Sequence, residues 1–490
     1  VSIALATAMV VGLPLMAAAV AFAHPRRGRM ATLGTGLLLL PVLAVLVLEN
    51  LRTGPWRQDL GGWAAPLGIG WQIDALALTL LVLTTVVALA AAIYRLAERR
   101  LVPDSRQRRY FWPLWLFLWG GLNALFLSAD LFNLYVILEM VALAAVALIA
   151  AAGGPALAAA WRYFLATLLG STLYLLGVAL LYGQYGALDI VLLTGRAAEE
   201  PVTLAAAVMI TLGLLLKGAI FPLHFWLPSA HGRAHAAVSA VLSAVVVTAA
   251  FYLLVRLWFG PFAGMLPGLP AQLLGLLGAA AVIWGGVLAM LQRHLKMVIA
   301  YSTVSQLGFG LLVFPLATAG ALPDQAHAGM LMLLLAHGLA KGSLFLAAGC
   351  LAWQWGSDHL RRIGPPMAGG SLLAWIAIAL AAASLVGLPP SGGFVAKWWL
   401  LESALAARAW PWAAVIVLGT FITAGYLWRI LRDPLRAGSV DAAAVPARAQ
   451  PLPIPLAMPR AALLLALAAI ASGLFATALR SAFEAGGLAA

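Results

Sequence analysis

Residues 214–228 read LLLKGAIFPLHFWLP, and residues 384–402 read SLVGLPPSGGFVAKWWLLE. Each belongs to an apolar block long enough to cross a bilayer, and each is cut by proline. A lysine stands beside each cut: Lys217 ahead of Pro222, and Lys397 behind Pro389, Pro390, Gly392 and Gly393. Proline lacks a backbone donor and its ring clashes with the preceding turn, so both blocks are expected to be broken or kinked helices. Proline and glycine are common in membrane helices and often merely bend them. Two breaks in corresponding positions of the chain halves, each next to an ionisable group, point instead to a transporter built from inverted repeats.

The rest of the chain fits that setting. Its 490 residues are 64% apolar and 9% charged, with a mean hydropathy of +1.01, which excludes a soluble domain and indicates an all-α polytopic membrane protein. Apolar windows of about 20 residues give fourteen spans, beginning near Val1, Ala31, Ile73, Phe111, Leu131, Ala160, Thr203, Ala234, Ala271, Met297, Ala326, Ser371, Trp410 and Ala461. The first run, 1–23, has no basic flank ahead of it and many spans behind it, so it is expected to be a transmembrane helix rather than a leader. Cys350 stands alone in an apolar helix, which leaves no disulfide framework and no thiolate metal site.

The net charge of +13 would suggest nucleic acid in a soluble protein, but here the arginines cluster in the connections between spans. Odd-numbered connections hold twenty Lys and Arg residues. The even ones hold five: Arg52, Arg57, Arg196, Arg256 and Arg408. This bias predicts odd loops in the cytoplasm and both termini on the non-cytoplasmic side of the cell inner membrane. The expected units are three N-terminal helices (1–110), two repeats (111–260 and 261–435), and a cytoplasmic loop with a final helix (436–490).

Only four lysines stand against twenty-five arginines, and Lys217, Lys341 and Lys397 lie inside spans. Arginine keeps its proton in a protein, whereas a buried lysine can give it up, so the scarce titratable cation stands where a mobile proton is useful. Base bias in the coding sequence explains the low count but not the placement, since an ionisable group in hydrocarbon is costly and marks function by default. Glu139, in LFNLYVILEMVALAAVALIA (131–150), has no compensating charge in its own helix, and Lys217 is its natural partner. Contact favours the ammonium and separation favours the neutral amine, which makes the pair a switch. The alternative is a static ion pair joining two helices. His337 and Lys341, four residues apart in LAHGLAKGSLFLAAG, share a helix face and are expected to form two steps of a relay. Lys397 is the corresponding group of the second break, with Glu402 one to two turns further on, either near an exit or at a solvated helix end.

Lys296 opens the tenth span and is expected to snorkel to the interface. His224, His231 and His235 flank the first break as water-contacting gate residues. No carboxylate stands at metal-ligand spacing with them, so no metal is expected. A phosphate loop, a cysteine ligand set and a haem signature are all missing, so neither a cofactor nor a catalytic residue is assigned.

Several long motifs occur in order: DLFNLYVILE (130–139), KGAIFPLHFWLPSAH (217–231), KMVIAYSTVSQLGFG (296–310), AHGLAKGSLFLAAG (336–349) and GLPPSGGFVAK (387–397). Together they resemble the antiporter-like membrane subunits of respiratory complex I (NADH:quinone oxidoreductase) and of the multisubunit Mrp cation/proton antiporters. GGWAAPLGI (61–69) looks most like the Mrp D-type subunit. The resemblance implies fourteen helices with two inverted five-helix repeats, each with a broken helix, around a water-filled polar axis. In it Glu139 and Lys217 form a first half-channel, continued by His337, Lys341 and Lys397. It further implies partner membrane subunits, the lipid bilayer, and H+ coupled either to Na+ or to redox work elsewhere in the assembly. Any redox chemistry would belong to the partners. One departure stands out: such proteins usually carry a Lys or His in the eighth helix, whereas VSAVLSAVVVTAAFYLL (238–254) offers Ser243 and Thr248, hydroxyls that hold water but store no proton near neutral pH. His235, where the family more often has proline, is no evident substitute. The expected function is proton translocation within a larger membrane complex. The rivals are a transport-inactive scaffold subunit and a permease for a small solute such as bicarbonate.

Overall fold

The computed structural model describes residues 2–98, 107–366, 368–440 and 451–487. Arg99, Arg100, Arg106 and Arg448 of the basic connections, with the rest of the loop at 441–450, lie outside the described residues. The chain begins with a helical hairpin, α1 (Ile3–Ala23) and α2 (Gly28–Thr53), followed by an antiparallel ribbon, β1 (Trp56–Asp59) against β2 (Gly70–Ile73). Then come α3 (Ala75–Glu98), α4 (Gln107–Leu127), α5 (Leu131–Ala150), α6 (Pro155–Tyr185), the short α7 (Ile190–Thr194), α8 (Pro201–Lys217) and the short α9 (Leu227–Arg233). The eighth span is α10 (Ala236–Val241), a π-helical turn at Leu242–Val246, and α11 (Val247–Trp258). After it run α12 (Leu269–Leu291), α13 (Leu295–Leu311), α14 (Val313–Thr318), α15 (Pro323–Trp355), α16 (Gly370–Val386), α17 (Gly392–Ala406), α18 (Trp410–Val440), α19 (Ala457–Leu474) and α20 (Ala476–Ala485).

Among the described residues twelve helices are long and apolar enough to cross a membrane, and α8 and α16 are shorter apolar helices that end at the two breaks, so all fourteen expected blocks are helical. Proline occupies the first turn of α6, α8, α12 and α15, where no intrahelical donor is lost, and side chains of Asp130, Asp189 and Ser391 cap α5, α7 and α17. Burial sorts the helices. The 236–258 span is buried along its whole length and α15 nearly so, whereas α1 and α18 turn much of their apolar surface outward, as a lipid-facing rim requires.

Two short antiparallel bridges recur. Asp130 pairs with Asp189, joining the start of α5 to the chain after α6, through Leu131 N–H to the Leu188 carbonyl (2.9 Å) and Ile190 N–H to the Ala129 carbonyl (2.8 Å). His294 pairs with His359, joining the start of α13 to the chain after α15, through Leu295 N–H to Asp358 (2.7 Å) and Leu360 N–H to Arg293 (2.9 Å). Counting crossings places the two bridges at opposite ends of the bundle. At the first end, Arg57 of the ribbon grips Asp189 with both terminal nitrogens (2.9 and 2.7 Å), and this contact raises the guanidinium above its already high range. The same end receives α20, where the Gly486 carbonyl accepts a hydrogen bond from Ala75 N–H at 2.8 Å.

One charge counted above as a loop residue lies inside. Arg256, on the last turn of α11, is buried against Asp74 at the head of α3, with Nη2 on Oδ1 at 2.9 Å and Nη1 on Oδ2. The Tyr252 hydroxyl accepts from Arg256 and donates to the Phe126 carbonyl (2.8 Å), so the clamp ties three segments together. Arg256 thus holds the N-terminal helices to the eighth span. Removing one partner of such a pair leaves a buried, uncompensated charge, at a cost of about 3–5 kcal/mol. Arg256→Leu is therefore expected to lower the melting temperature of the solubilised protein markedly, and the double change Asp74→Leu with Arg256→Leu to recover much of the loss. A single variant melting with the parent would contradict this.

Candidate functional site: a buried chain of amines and hydroxyls

The first break builds a site from three helices. α8 stops at Lys217, where the chain turns through Gly218 and Ala219 (φ 51°), and Pro222 follows a cis peptide. The end of a helix in apolar surroundings leaves carbonyls without donors. Trp226 answers one of them, its indole N–H donating to the Leu216 carbonyl at 2.8 Å while its ring stacks on Tyr163. Lys217 Nζ, nearly buried, donates to Glu139 Oε1 of α5 at 3.1 Å. Ser171 of α6 donates to the same oxygen. The Glu139 side chain stays a quarter exposed, so the pair is open on one side.

Glycine allows the approach. A Cβ on Gly170 of α6 would stand 2.9 Å from the Gly213 carbonyl of α8 and 3.1 Å from the Lys217 side chain.

The second break repeats the arrangement with the lysine on the other side of the cut. α16 ends at Gly387 (φ 88°), Pro389 and Pro390 lie in the turn joined by a cis bond, and α17 starts at Gly392. Gly392 and Gly393, expected in the break, are the first helical residues instead. At Gly393 the α16 backbone, and at Gly392 the Ser472 side chain and Ala469 carbonyl of α19, come too close for a side chain. Lys397 Nζ donates to the free C-terminal carbonyls of α16, Leu385 (2.8 Å) and Val386 (3.1 Å), and sits 4.5 Å from the centre of the Phe309 ring.

Between the breaks stands Lys341, fully buried on α15. It does not turn toward His337: its ammonium crosses to α13 and donates to the Ile299 carbonyl (2.9 Å) and to the Ser302 hydroxyl. His337 lies one turn away, buried, with its ring facing the Ser243 backbone. Ser243, in the π turn, bonds Thr303 of α13 at 2.8 Å, whereas Thr248 turns back to the Ala244 carbonyl of its own helix. α13 thus carries Ser302 against Lys341, Gln306 one turn on, donating to Thr423 of α18 at 3.2 Å, and then the Phe309 ring against Lys397, all at helical spacing.

The remaining expected residues are placed as follows. His224 lies in the first break beside Phe221. His231, fully buried on α9, packs against Phe345 with both ring nitrogens unbonded. His235 caps α10 through its carbonyl, which accepts from Ser239 N–H. Lys296, expected at the interface, turns inward and donates to the Ala234 carbonyl (2.8 Å), between α9 and α10. Glu402 is no free helix end: Trp398 and Gln325 both donate to it. Sequence reasoning missed Ser171, Ser302 and Gln306. The first sits unflagged beside Gly170. The other two belong to the run STVSQ (302–306), whose hydroxyls and amide inside an apolar span were the available signal.

An apolar helical bundle with buried amines at two broken helices has the architecture of an antiporter-like membrane subunit. The family model described as NADH:quinone oxidoreductase/Mrp antiporter, TM, matches residues 128–423, and the chain belongs to that family. NADH-quinone oxidoreductase subunit N of Desulforudis audaxviator is 36% identical over 466 residues, covering 90% of this chain and 89% of its own length. The D-type subunit of the Na(+)/H(+) antiporter of Alkalihalophilus pseudofirmus is 30% identical over 397 residues, covering 79% and 77%. The likeness to a D-type subunit expected from residues 61–69 thus has an N-type relative beside it. A chain of the solved Mrp complex from Dietzia sp. superposes with a TM-score of 0.87 at 26% identity, covering 98% of this chain and 97% of that one.

The glycine contact carries its own test. Gly170→Val is expected to force α6 away from α8 and to destabilise the protein by about 1–3 kcal/mol, read as a lower melting temperature. Gly183→Ala, on the same helix with open space beside it, should melt with the parent.

Proposed function

We propose that this chain is the proton-translocating subunit of a multisubunit membrane complex of the Mrp or complex I type. Protons move along Glu139, Lys217, the Ser243–Thr303 hydroxyls, His337, Lys341 and Lys397. The carrying observation is the Glu139–Lys217 contact, an acid and a base meeting inside an apolar bundle at a helix break, open on one side. A static pair would stabilise little. A pair whose ammonium loses its partner when the helices shift releases a proton, because an unpaired charge in an apolar site is unfavourable. Ser302, Thr303 and Gln306 support continuity between the lysines, and water spans the stretch from Lys217 to Ser243, where the eighth span supplies only hydroxyls.

The two bridges at equivalent positions, one at each end of the bundle, support inverted repeats at 111–260 and 261–435, with 1–110 and 436–490 as flanking units. The charge bias supports odd connections in the cytoplasm and both ends of the chain on the non-cytoplasmic face of the inner membrane. The partners are other membrane subunits, as in the antiporter and oxidoreductase assemblies to which the relatives belong, with H+ as the ion moved and either Na+ or redox work coupled to it.

Arginine keeps the charge and gives up no proton. In the assembled complex in membrane vesicles, followed with a pH-sensitive dye, Lys217→Ala and Lys217→Arg should each lower proton flux at least about tenfold while the complex keeps its mobility on a native gel. Near-parental flux in Lys217→Arg would overturn the assignment.

A further inference from the structure

At the end of the bundle that carries the β ribbon, α17 finishes, α15 begins and α20 crosses over. Three polar groups from those helices form a line. Glu402 of α17 accepts from the Trp398 indole N–H at Oε1 (2.8 Å) and from the Gln325 amide nitrogen of α15 at Oε2. The Gln325 amide oxygen in turn accepts from Arg480 of α20 at 3.2 Å. Arg480 also holds Glu484 one turn on (2.8 Å) and lies over the Trp399 ring. Gln325 is nearly buried, between half-buried Glu402 on one side and Arg480 and Glu484, 37% and 48% exposed, on the other, so a buried amide links a half-buried carboxylate to the surface pair. Lys397 stands five residues before Glu402, about 7.5 Å of helix rise.

We propose that Glu402 is the terminal proton-exchange site of the second half of the path, and that α20 is a latch over it, held by Arg480 and released when Glu402 takes a proton. This rests on the proton-path reading above. The donor inventory favours the coupling. An indole N–H only donates, and the carbonyl oxygen of a protonated carboxyl is a better acceptor for it than the hydroxyl oxygen, so the proton on Glu402 is favoured on Oε2, away from Trp398. It sits on Oε2 and needs an acceptor. Gln325 faces that oxygen and can accept only by turning its amide over, which places its NH2 against Arg480. Two donors then oppose each other, and Arg480 withdraws to Glu484, already its partner. The side-chain contact holding α20 to α15 is lost, and the Gln325 side of Glu402 opens to water. Departure of the proton restores the carboxylate, the amide turns back and the latch closes. Arg480 is a positioning residue in this scheme, acting through Gln325.

Glu402→Gln reproduces the protonated pattern, since its carbonyl must face Trp398 and its NH2 must face Gln325. In the assembled complex, amide hydrogen exchange over 476–485 is expected to speed up several-fold in Glu402→Gln and in Arg480→Gln, and to stay near parental in Arg480→Lys. Adding Arg480→Gln to Glu402→Gln should change nothing more. Proton flux should fall at least tenfold in Glu402→Gln and stay within about threefold in Glu402→Asp. Parental exchange over α20 in Glu402→Gln, or additive effects in the double variant, overturns the latch. Parental flux in Glu402→Gln overturns the exchange site. Loss of flux in Lys217→Arg alongside either result leaves the path standing and removes only this inference, whereas parental flux in Lys217→Arg removes the path itself.

Discussion

A helix that stops inside an apolar bundle leaves its last carbonyls facing no water, and the protein answers with ammonium groups. Lys397 takes the two open carbonyls of α16, Lys217 stands at the end of α8 against Glu139, Lys341 holds the Ile299 carbonyl, and Lys296 holds that of Ala234 between two short helices. All four lysines of the chain end on a backbone or carboxylate oxygen. At the second break charge and cut therefore depend on each other: the open carbonyls of α16 are the acceptors of Lys397, and Lys397 is their donor, whereas at the first break the Trp226 indole takes the Leu216 carbonyl and Lys217 turns to Glu139.

That dependence gives the amines something to move between. A carbonyl is a weaker partner than a carboxylate, because it offers a dipole rather than a charge. Lys217 has the carboxylate, whereas Lys341 and Lys397 have carbonyls and a hydroxyl or an aromatic face. The three amines of the bundle thus have partners of unequal strength. Close packing keeps those partners in register, above all where Gly170 and Gly213 bring α6 and α8 backbone to backbone.

The fourteen spans were legible because a bilayer admits few solutions, and hydropathy reads them directly. The breaks were legible because proline and glycine act locally. The partnership of Glu139 with Lys217 followed from the cost of leaving either alone. What escaped was long-range pairing. Arg256 sits at the polar edge of an apolar block, where a window average treats it as a loop charge, and its partner Asp74 lies 182 residues away. Lys296 was placed outward by its boundary position, yet the turn before α10 offers it an unpaired carbonyl. Lys341 and His337 share a helix face, but helical spacing cannot say which neighbour each side chain chooses. Glu402 looked like a solvated end because nothing in the sequence foretells that α20 folds back across that end.

The hydrogen bond from Ala75 to the Gly486 carbonyl closes the fold between its third helix and its last. The Asp74 side chain caps the next free amide of that helix start, at Ala77, from within its own segment, so the head of α3 takes one partner from its neighbour in sequence and one from more than four hundred residues away. The first turn of the third helix is thus complete only when the last residues of the fold are in place.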